Sequence, residues 1–283
     1  MKRKICFFAF LLLVSVILSS CMTEIGVEEG MLGIYVLDVG QGDSILLRTE
    51  SGDILIDAGP DDAQTQLCLR LRALGVKSLL LAVFSHADED HAGGGDGVLS
   101  EFPAKEVWLS ETETESDCMS RLLDVCQKQQ IPIRCVNAGE VMRLGDLTLS
   151  VLHPFSNLSS DTNERSIVLK LVHKNIAALF TGDVGKDAEE AILERYGASQ
   201  LRCDLYKVGH HGSYSSSSAQ FLKAMSPSFA VISCAEGNPY GHPHGEVLER
   251  IEEAGATIYR TDLSGEIVFY SDGERLIPPP SKQ

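Results

Sequence analysis

Ser85-His86-Ala87-Asp88-Glu89-Asp90-His91-Ala92-Gly93-Gly94 is the stretch on which the reading of this chain turns. Two imidazoles and three carboxylates follow one another between His86 and His91. Imidazole nitrogen suits zinc and other transition metals, and carboxylate oxygen suits harder ions such as manganese. The Gly93-Gly94 pair lets backbone pack closely against such a loop. Asp and Glu are also common in solvated loops, so taken alone the stretch competes with an ordinary acidic surface loop. The residues before it favour a site, because Leu79 to Phe84 is an apolar run of strand length that delivers the chain to His86.

Further out, the same pattern recurs. Ile54-Leu55-Ile56 empties into Asp57-Ala58-Gly59, and Ala177 to Phe180 into Thr181-Gly182-Asp183. Leu205 to Val208 empties into Gly209-His210-His211-Gly212-Ser213, and Tyr240-Gly241-His242-Pro243-His244 follows the run Phe229 to Ser233. Short β-rich runs also cover 33–37, 44–48, 106–109, 133–136, 166–172, 257–260 and 266–270. Apolar residues at helical spacing predict helices over 62–74, 118–130, 186–196, 217–225 and 246–254. Strands and helices alternating throughout predict a layered α/β domain. Polar residues placed just after strand ends are how such domains build a site at one rim.

In this order, Asp-Ala-Gly, His-x-x-x-Asp-His-x-Gly-Gly, Thr-Gly-Asp and Gly-His-His-Gly-Ser resemble the metallo-β-lactamase fold, from about Gly33 to Asp272. The resemblance implies a four-layer αββα sandwich and a metal-dependent hydrolase. Leu37-Asp38-Val39-Gly40-Gln41-Gly42-Asp43-Ser44 is similar to the opening of the extracytoplasmic hydrolase domain of ComEC-type DNA-uptake proteins. The ending Tyr259-Arg260-Thr261-Asp262-Leu263-Ser264-Gly265 fits that branch too. Carried over residue by residue, the pattern implies that Asp90, His91, Asp183 and His210 hold one metal and that His86 and Asp88 contribute to a second, with Asp183 bridging. One or two divalent ions, zinc or manganese, are expected. Asp57 is expected to support the histidine loop. Asp90 or Asp88 would take or position a proton, and His211 with Gly212-Ser213 would stabilise charge on a phosphoryl group. Asn163, Ser166, Ser213 and His242 would face the substrate. For His242 and His244, a pocket rim and a loop fixed by Pro243 are equally open. Asp38 and Gln41-Gly42-Asp43 support the metal loop or simply form a tight turn.

Two departures stand out. Asp88 occupies the position where the family pattern has a second His. The loop Asp161 to Ser166 offers Asn163 where a third-motif His is expected, with His153 as the alternative. The second site is thus richer in oxygen, which counts against β-lactam hydrolysis. His173 reads as surface structure. Ser215 to Ser218 reads as helix capping.

The start of the chain carries Lys2, Arg3 and Lys4, an uncharged run from Ile5 to Ser20, then Cys21. A basic segment and an apolar segment shorter than the ~18 residues of a spanning helix form a secretory signal pattern. Leu18-Ser19-Ser20-Cys21 resembles a bacterial lipobox, which implies cleavage before Cys21 and lipid on its sulfur. The expected plan is a signal over 1–20, a tether over 21–30, a hydrolase domain over 31–275 and a tail over 276–283, anchored outside the membrane. The formal charge of −16 argues against broad electrostatic capture of nucleic acid. The later cysteines form no zinc spacing, and Cys68, Cys203 and Cys234 read as small buried apolar residues. The leading functional expectation is a phosphodiesterase, acting on single-stranded DNA. A small-phosphoester or wall-phosphocholine esterase is the alternative in the same class, and a non-catalytic surface binding module the alternative from another.

Overall fold

A computed structural model describes residues 28–112, 115–155 and 161–280. The signal, Cys21 and most of the tether lie outside the described residues. Two sheets form the centre. The first runs β15-β14-β1-β2-β3-β4-β5-β6, with β1 Leu32–Val36, β2 Ile45–Thr49, β3 Gly52–Ile56, β4 Leu79–Phe84, β5 Val107–Leu109, β6 Ile133–Cys135, β14 Ile267–Ser271 and β15 Leu276–Ile277. The second runs β13-β12-β11-β10-β9-β8-β7, with β7 Val141–Leu144, β8 Leu147–His153, β9 Val168–His173, β10 Ile176–Phe180, β11 Leu205–Lys207, β12 Phe229–Ile232 and β13 Thr257–Arg260.

Alternation along the strands explains the layering, since successive side chains point to opposite faces. Ile34, Val36, Ile54, Ile56, Leu81 and Val83 of the first sheet meet Leu169, Leu171, Ala178, Phe180 and Val231 of the second in one buried cluster. Tyr35, Leu55, Ala82 and Phe84 point the other way, onto helices α1 Gln64–Ala73, α3 Gly95–Glu101 and α4 Asp117–Gln129. Val168, Leu179, Ala230 and Ile232 do the same on the far side, against α5 Lys186–Leu201, α6 Ala219–Met225 and α7 Gly245–Glu253. Two sheets flanked by helices are the four-layer αββα arrangement expected from the motifs.

Each sheet is antiparallel in one part and parallel in the other. β3, β4, β5 and β6 are parallel neighbours, as are β10, β11, β12 and β13. The parallel parts bring the carboxyl ends of β3, β4, β10, β11 and β12 to one rim. The hairpin β7–β8 and the helix α3 were not expected from sequence. β7 alternates exposed and half-buried residues, so its apolar signal is weak. His173, expected at the surface, is buried, and its Nδ1 lies 2.9 Å from Ser271 Oγ on the neighbouring sheet. The expected capping role falls on Ser218, whose Oγ accepts from Phe221 N at the start of α6. Cys68, Cys118, Cys126, Cys203 and Cys234 are buried free thiols, while Cys135 is exposed.

Candidate metal centre

Four strand ends feed the site. β3 delivers Asp57, and β4 delivers Ser85 and His86. A short helix, α2 Glu89–Ala92, then carries Asp90 and His91. β10 leads through Thr181-Gly182 to Asp183, and β11 leads to His210 and His211. Asp57, His210 and His211 hold left-handed backbone at φ 58°, 49° and 52°. Such conformations are costly for residues other than glycine and cluster where a site dictates geometry.

The rings of His91 and His211 define the centre. His91 Nε2 lies 3.2 Å from His211 Nε2 and 3.2 Å from Asp183 Oδ1. His211 Nε2 lies 3.4 Å from Asp183 Oδ2 and 3.2 Å from Asp90 Oδ2. The other ring nitrogens are committed. His91 Nδ1 donates to Asp57 Oδ2 at 2.9 Å, and His211 Nδ1 to the Ser233 carbonyl at 2.9 Å. Both Nε2 atoms therefore face each other between carboxylates. That arrangement is repulsive unless a positive charge lies between them. Burial lowers both imidazole pKa values, but Asp183, joined at His91 by Asp57, outweighs it and raises them well above the ordinary value. Burial likewise pushes Asp183 up, and His211 and His91 more than reverse it.

His86 completes this rim. Ser85 Oγ donates to Asp57 Oδ2 at 2.8 Å, so it accepts from His86 Nδ1 at 3.0 Å. His86 Nε2 is then a bare lone pair. It is buried, has no hydrogen-bond partner among the described residues, and lies 3.7 Å from Asp88 Oδ2. Asp183 Oδ1 is buried and without a hydrogen bond in the same way. Buried polar atoms are paired in most proteins, so two unpaired ones turned into one histidine–carboxylate cluster fit a cation-binding role. Three imidazole nitrogens with the Asp90 and Asp183 carboxylates are a donor set that fits a divalent metal ion. Asp57 accepts from Ser85 N at 2.7 Å as well as from Ser85 Oγ and His91 Nδ1.

Asp43 was not among the expected ligands. Ligand atoms of Asp43, His91, Asp183 and His211 all lie within 4.8 Å of one another. Asp43, however, approaches His211 from the Nδ1 side, with its Oδ1 3.5 Å from that nitrogen. Its Oδ2 is 2.8 Å from the Lys207 ammonium, and both side chains are 1 % exposed. A cation held by Asp43 would face Lys207 across one carboxylate. Asp43 therefore supports the ring from behind while His91, Asp183 and His211 face the ion. Burial raises the Asp43 pKa, and Lys207 and His211 together bring it well below the usual carboxylate range. The turn is fastened to the metal loop, since Asp43 N donates to the Asp90 carbonyl at 3.1 Å. A Cβ on Gly42 would lie 2.2 Å from that same oxygen.

The remaining expected residues divide. His210 Nε2 is 3.8 Å from Asp183 Oδ2 with its side chain 26 % exposed, at the edge of the cluster. His211, expected to steady a phosphoryl group, is instead fully buried at its centre. The two-histidine motif hid which ring turns inward, and only the backbone path resolves it. Ser166, expected to hold phosphate, is buried. Its Oγ accepts from Asp183 N at 3.1 Å and lies 3.3 Å from His86 Nδ1, so it positions both. His153 Nδ1 donates to the Ser166 carbonyl at 3.0 Å, and its ring packs edge-on against Phe155. Asn163 opens a short 3-10 turn, and its Oδ1 is buried with no hydrogen-bond partner among the described residues. Ser213 Oγ pairs with Ser215 Oγ at 2.9 Å. His242 lies 5.6 Å from His210 and 6.3 Å from His211, ring to ring. Asp88 is 41 % exposed at the mouth.

That mouth opens into a cleft of about 740 Å³, lined by Asp62, Asp88, Glu89 and Asp90 on one side and by Gln41 and Tyr240 among others.

Comparison with known proteins agrees with this arrangement. The family model described as the metallo-beta-lactamase superfamily matches residues 37–117. Competence protein ComA of Neisseria gonorrhoeae is 34 % identical over 244 residues, covering 86 % of this chain and 33 % of that protein. ComE operon protein 3 of Bacillus subtilis is 28 % identical over 254 residues, covering 83 % and 32 %. The chain thus spans about a third of the length of the curated relatives it matches. Among solved structures, Igni18, a metallo hydrolase from Ignicoccus hospitalis, superposes with a TM-score of 0.55 at 16 % identity, covering 84 % of this chain and 98 % of that one. The metallo-beta-lactamase fold protein YhfI of Bacillus subtilis gives 0.54 at 10 % identity, covering 85 % and 99 %. Two sheets flanked by helices, a histidine–aspartate cluster at the shared rim and these matches together give the chain the metallo-β-lactamase fold, with competence proteins among the proteins it is similar to.

Proposed function

We propose that this protein is a metal-dependent phosphodiesterase that acts outside the membrane on nucleic-acid strands. The observation that carries the metal is the convergence of His91 Nε2 and His211 Nε2 at 3.2 Å over Asp183, with their Nδ1 atoms already engaged. The likeness to competence proteins supports the substrate class. The expected signal and Cys21 lipid attachment support extracytoplasmic anchoring, a reading that rests on sequence pattern alone.

A divalent ion held by His91, Asp183 and His211, with Asp90, His86 and His210 beside them, supplies Lewis acidity toward a phosphoryl oxygen and lowers the pKa of a nearby water. The chain's own groups do the rest. Burial raises the Asp90 pKa, but the His211 hydrogen bond and the His91 charge outweigh it and keep the carboxylate ionised. Asp90 and Asp88 both line the cleft and take the proton as the water oxygen bonds to phosphorus. The bond from phosphorus to the leaving oxygen breaks, and that oxygen leaves with its electron pair and recovers a proton from the same carboxylates. Ser166 and Asp57 hold the ligands still, which preserves alignment.

The test is hydrolysis of bis-p-nitrophenyl phosphate, labelled single-stranded DNA, p-nitrophenyl phosphocholine and a β-lactam by the full chain with zinc, manganese or chelator. Metal-dependent diester cleavage, lost in Asp183→Asn, is expected. A folded, metal-loaded protein that cleaves phosphocholine alone would move the assignment to small esters. One that cleaves nothing would favour a binding module.

A further inference from the structure

The aromatic side chains beside the cluster have no part in the chemistry above. Tyr240 is 62 % exposed. Its ring lies nearly parallel to that of His242, at 5.5 Å between centres and 23° between planes. His242 in turn lies 27° from the plane of His211. Tyr240, His242 and His211 form a column of rings running from solvent to the buried cluster.

The column is fixed before any ligand arrives. Asn238 Oδ1 accepts from His242 N at 3.0 Å, and Asn238 Nδ2 donates to the carbonyls of Ala235 and His242 at 2.9 and 2.6 Å. His244 N donates to the Gly212 carbonyl at 3.0 Å. Pro243 lies so close to Gly212 that a Cβ there would meet Pro243 Cβ at 2.5 Å. The loop carrying Tyr240 is thereby clamped to the turn that carries His210 and His211. A preorganised surface binds without the entropy cost of being ordered.

The cleft beside it has an unusual electrical character for a nucleic-acid site. Asp62, Asp88, Glu89 and Asp90 line it, and its lining residues include no lysine or arginine. Arg121, on neighbouring α4, is paired with Asp61 and Asp96. Such a cleft does not grip a phosphate chain by charge. Tyr240 and Pro239 line the same cleft and offer it flat apolar surface instead.

We propose that Tyr240 is a stacking platform for a nucleobase next to the scissile phosphodiester, so that the site takes single strands and strand ends through their bases. This rests on the phosphodiesterase reading. Every base has a π face, so such binding is sequence-tolerant. In a duplex those faces are already stacked, so the platform selects against duplex. With few basic contacts, affinity should also depend only shallowly on salt.

The test compares a thymidine dinucleotide with the same dinucleotide lacking one base, using the full metal-loaded chain. Wild type is expected to show a KM about tenfold lower for the base-bearing diester, the scale of one base–aromatic stack. Tyr240→Ala is expected to erase that preference and Tyr240→Phe to keep it. Equal KM values in wild type, or a Tyr240→Ala defect that strikes both substrates alike, would overturn the platform while leaving the phosphodiesterase reading intact. If wild type cleaves neither, that reading fails, and calorimetric binding of the two dinucleotides to the metal-free chain still decides. A tenfold preference lost in Tyr240→Ala supports the platform, and equal affinities overturn it.

Discussion

Lys207 Nζ lies 2.8 Å from Asp43 Oδ2 in the interior, behind the imidazole of His211 and on the side away from the metal-facing nitrogen. The ammonium also donates to the Val208 carbonyl at 2.9 Å. A buried pair of this kind contributes little beyond an apolar pair of the same shape, but losing one partner leaves an unpaired charge. Asp43→Asn should therefore cost about 3–5 kcal/mol of unfolding free energy, measured by chemical denaturation.

The double variant Asp43→Asn with Lys207→Met removes both charges. It should recover much of that stability and keep metal affinity within a few-fold of wild type in a calorimetric titration. A loss of metal as large as that of Asp183→Asn would show instead that Asp43 is itself a ligand.

Asp57 accepts from Ser85 N, Ser85 Oγ and His91 Nδ1. Asn tolerates the left-handed backbone of that position, so Asp57→Asn tests the carboxylate with little backbone strain. Partners of this type are worth about 10–100-fold in metal affinity when removed. Competition with a chromophoric chelator should show a loss in that range, with the fold retained by circular dichroism.

His173 gives a pH dependence away from the cluster. Burial, with Lys174 adding to it, lowers its pKa, so the native ring is neutral. The unfolded chain takes up a proton near pH 6.5. Below that pH the unfolded state binds more protons than the native one, so stability falls as pH falls. The difference in denaturant midpoint between wild type and His173→Gln should vary between pH 7.5 and 5, with wild type losing more. A constant difference would mean that His173 titrates alike in the folded and unfolded chain, and a change of opposite sign that the fold favours the protonated ring.

Much of this was legible in the sequence, and for identifiable reasons. Leu79 to Phe84 and Thr257 to Arg260 were read to the residue, because apolar runs between turn signals leave little freedom. Asp57, His86 and Asp183 were singled out because each follows such a run, and Asp90 and His91 because the segment after Phe84 gathers imidazoles and carboxylates. His210 and His211 could not be told apart, since adjacent residues share a strand end and only the left-handed turn decides which ring points inward. Asp43 stayed ambiguous because its partner Lys207 lies on the other sheet. Ser166 looked like a substrate contact because a hydroxyl's direction is set by tertiary contacts, here Asp183 N. The signal in Tyr240 was present in the motif Tyr240-Gly241-His242-Pro243-His244, but its exposure was not.

The backbone contact at Gly42 predicts a steric lesion. Its φ of 147° is disfavoured for residues with a Cβ, and the added carbon would meet the Asp90 carbonyl. Gly42→Ala should displace the metal loop, lowering both metal occupancy and thermal midpoint. Gly40→Ala, at φ 75° but with open space around it, should leave occupancy intact.

The central claim is that a divalent ion sits between His91 and His211 over Asp183. Cobalt substitution tests it most directly, by titrating the metal-free full chain and recording the visible absorption of the bound ion beside elemental analysis. Wild type should bind at least one equivalent, with a spectrum that changes in His91→Ala, His211→Ala and Asp183→Asn as the affinity falls. An unchanged spectrum and stoichiometry in all three folded variants would contradict the claim.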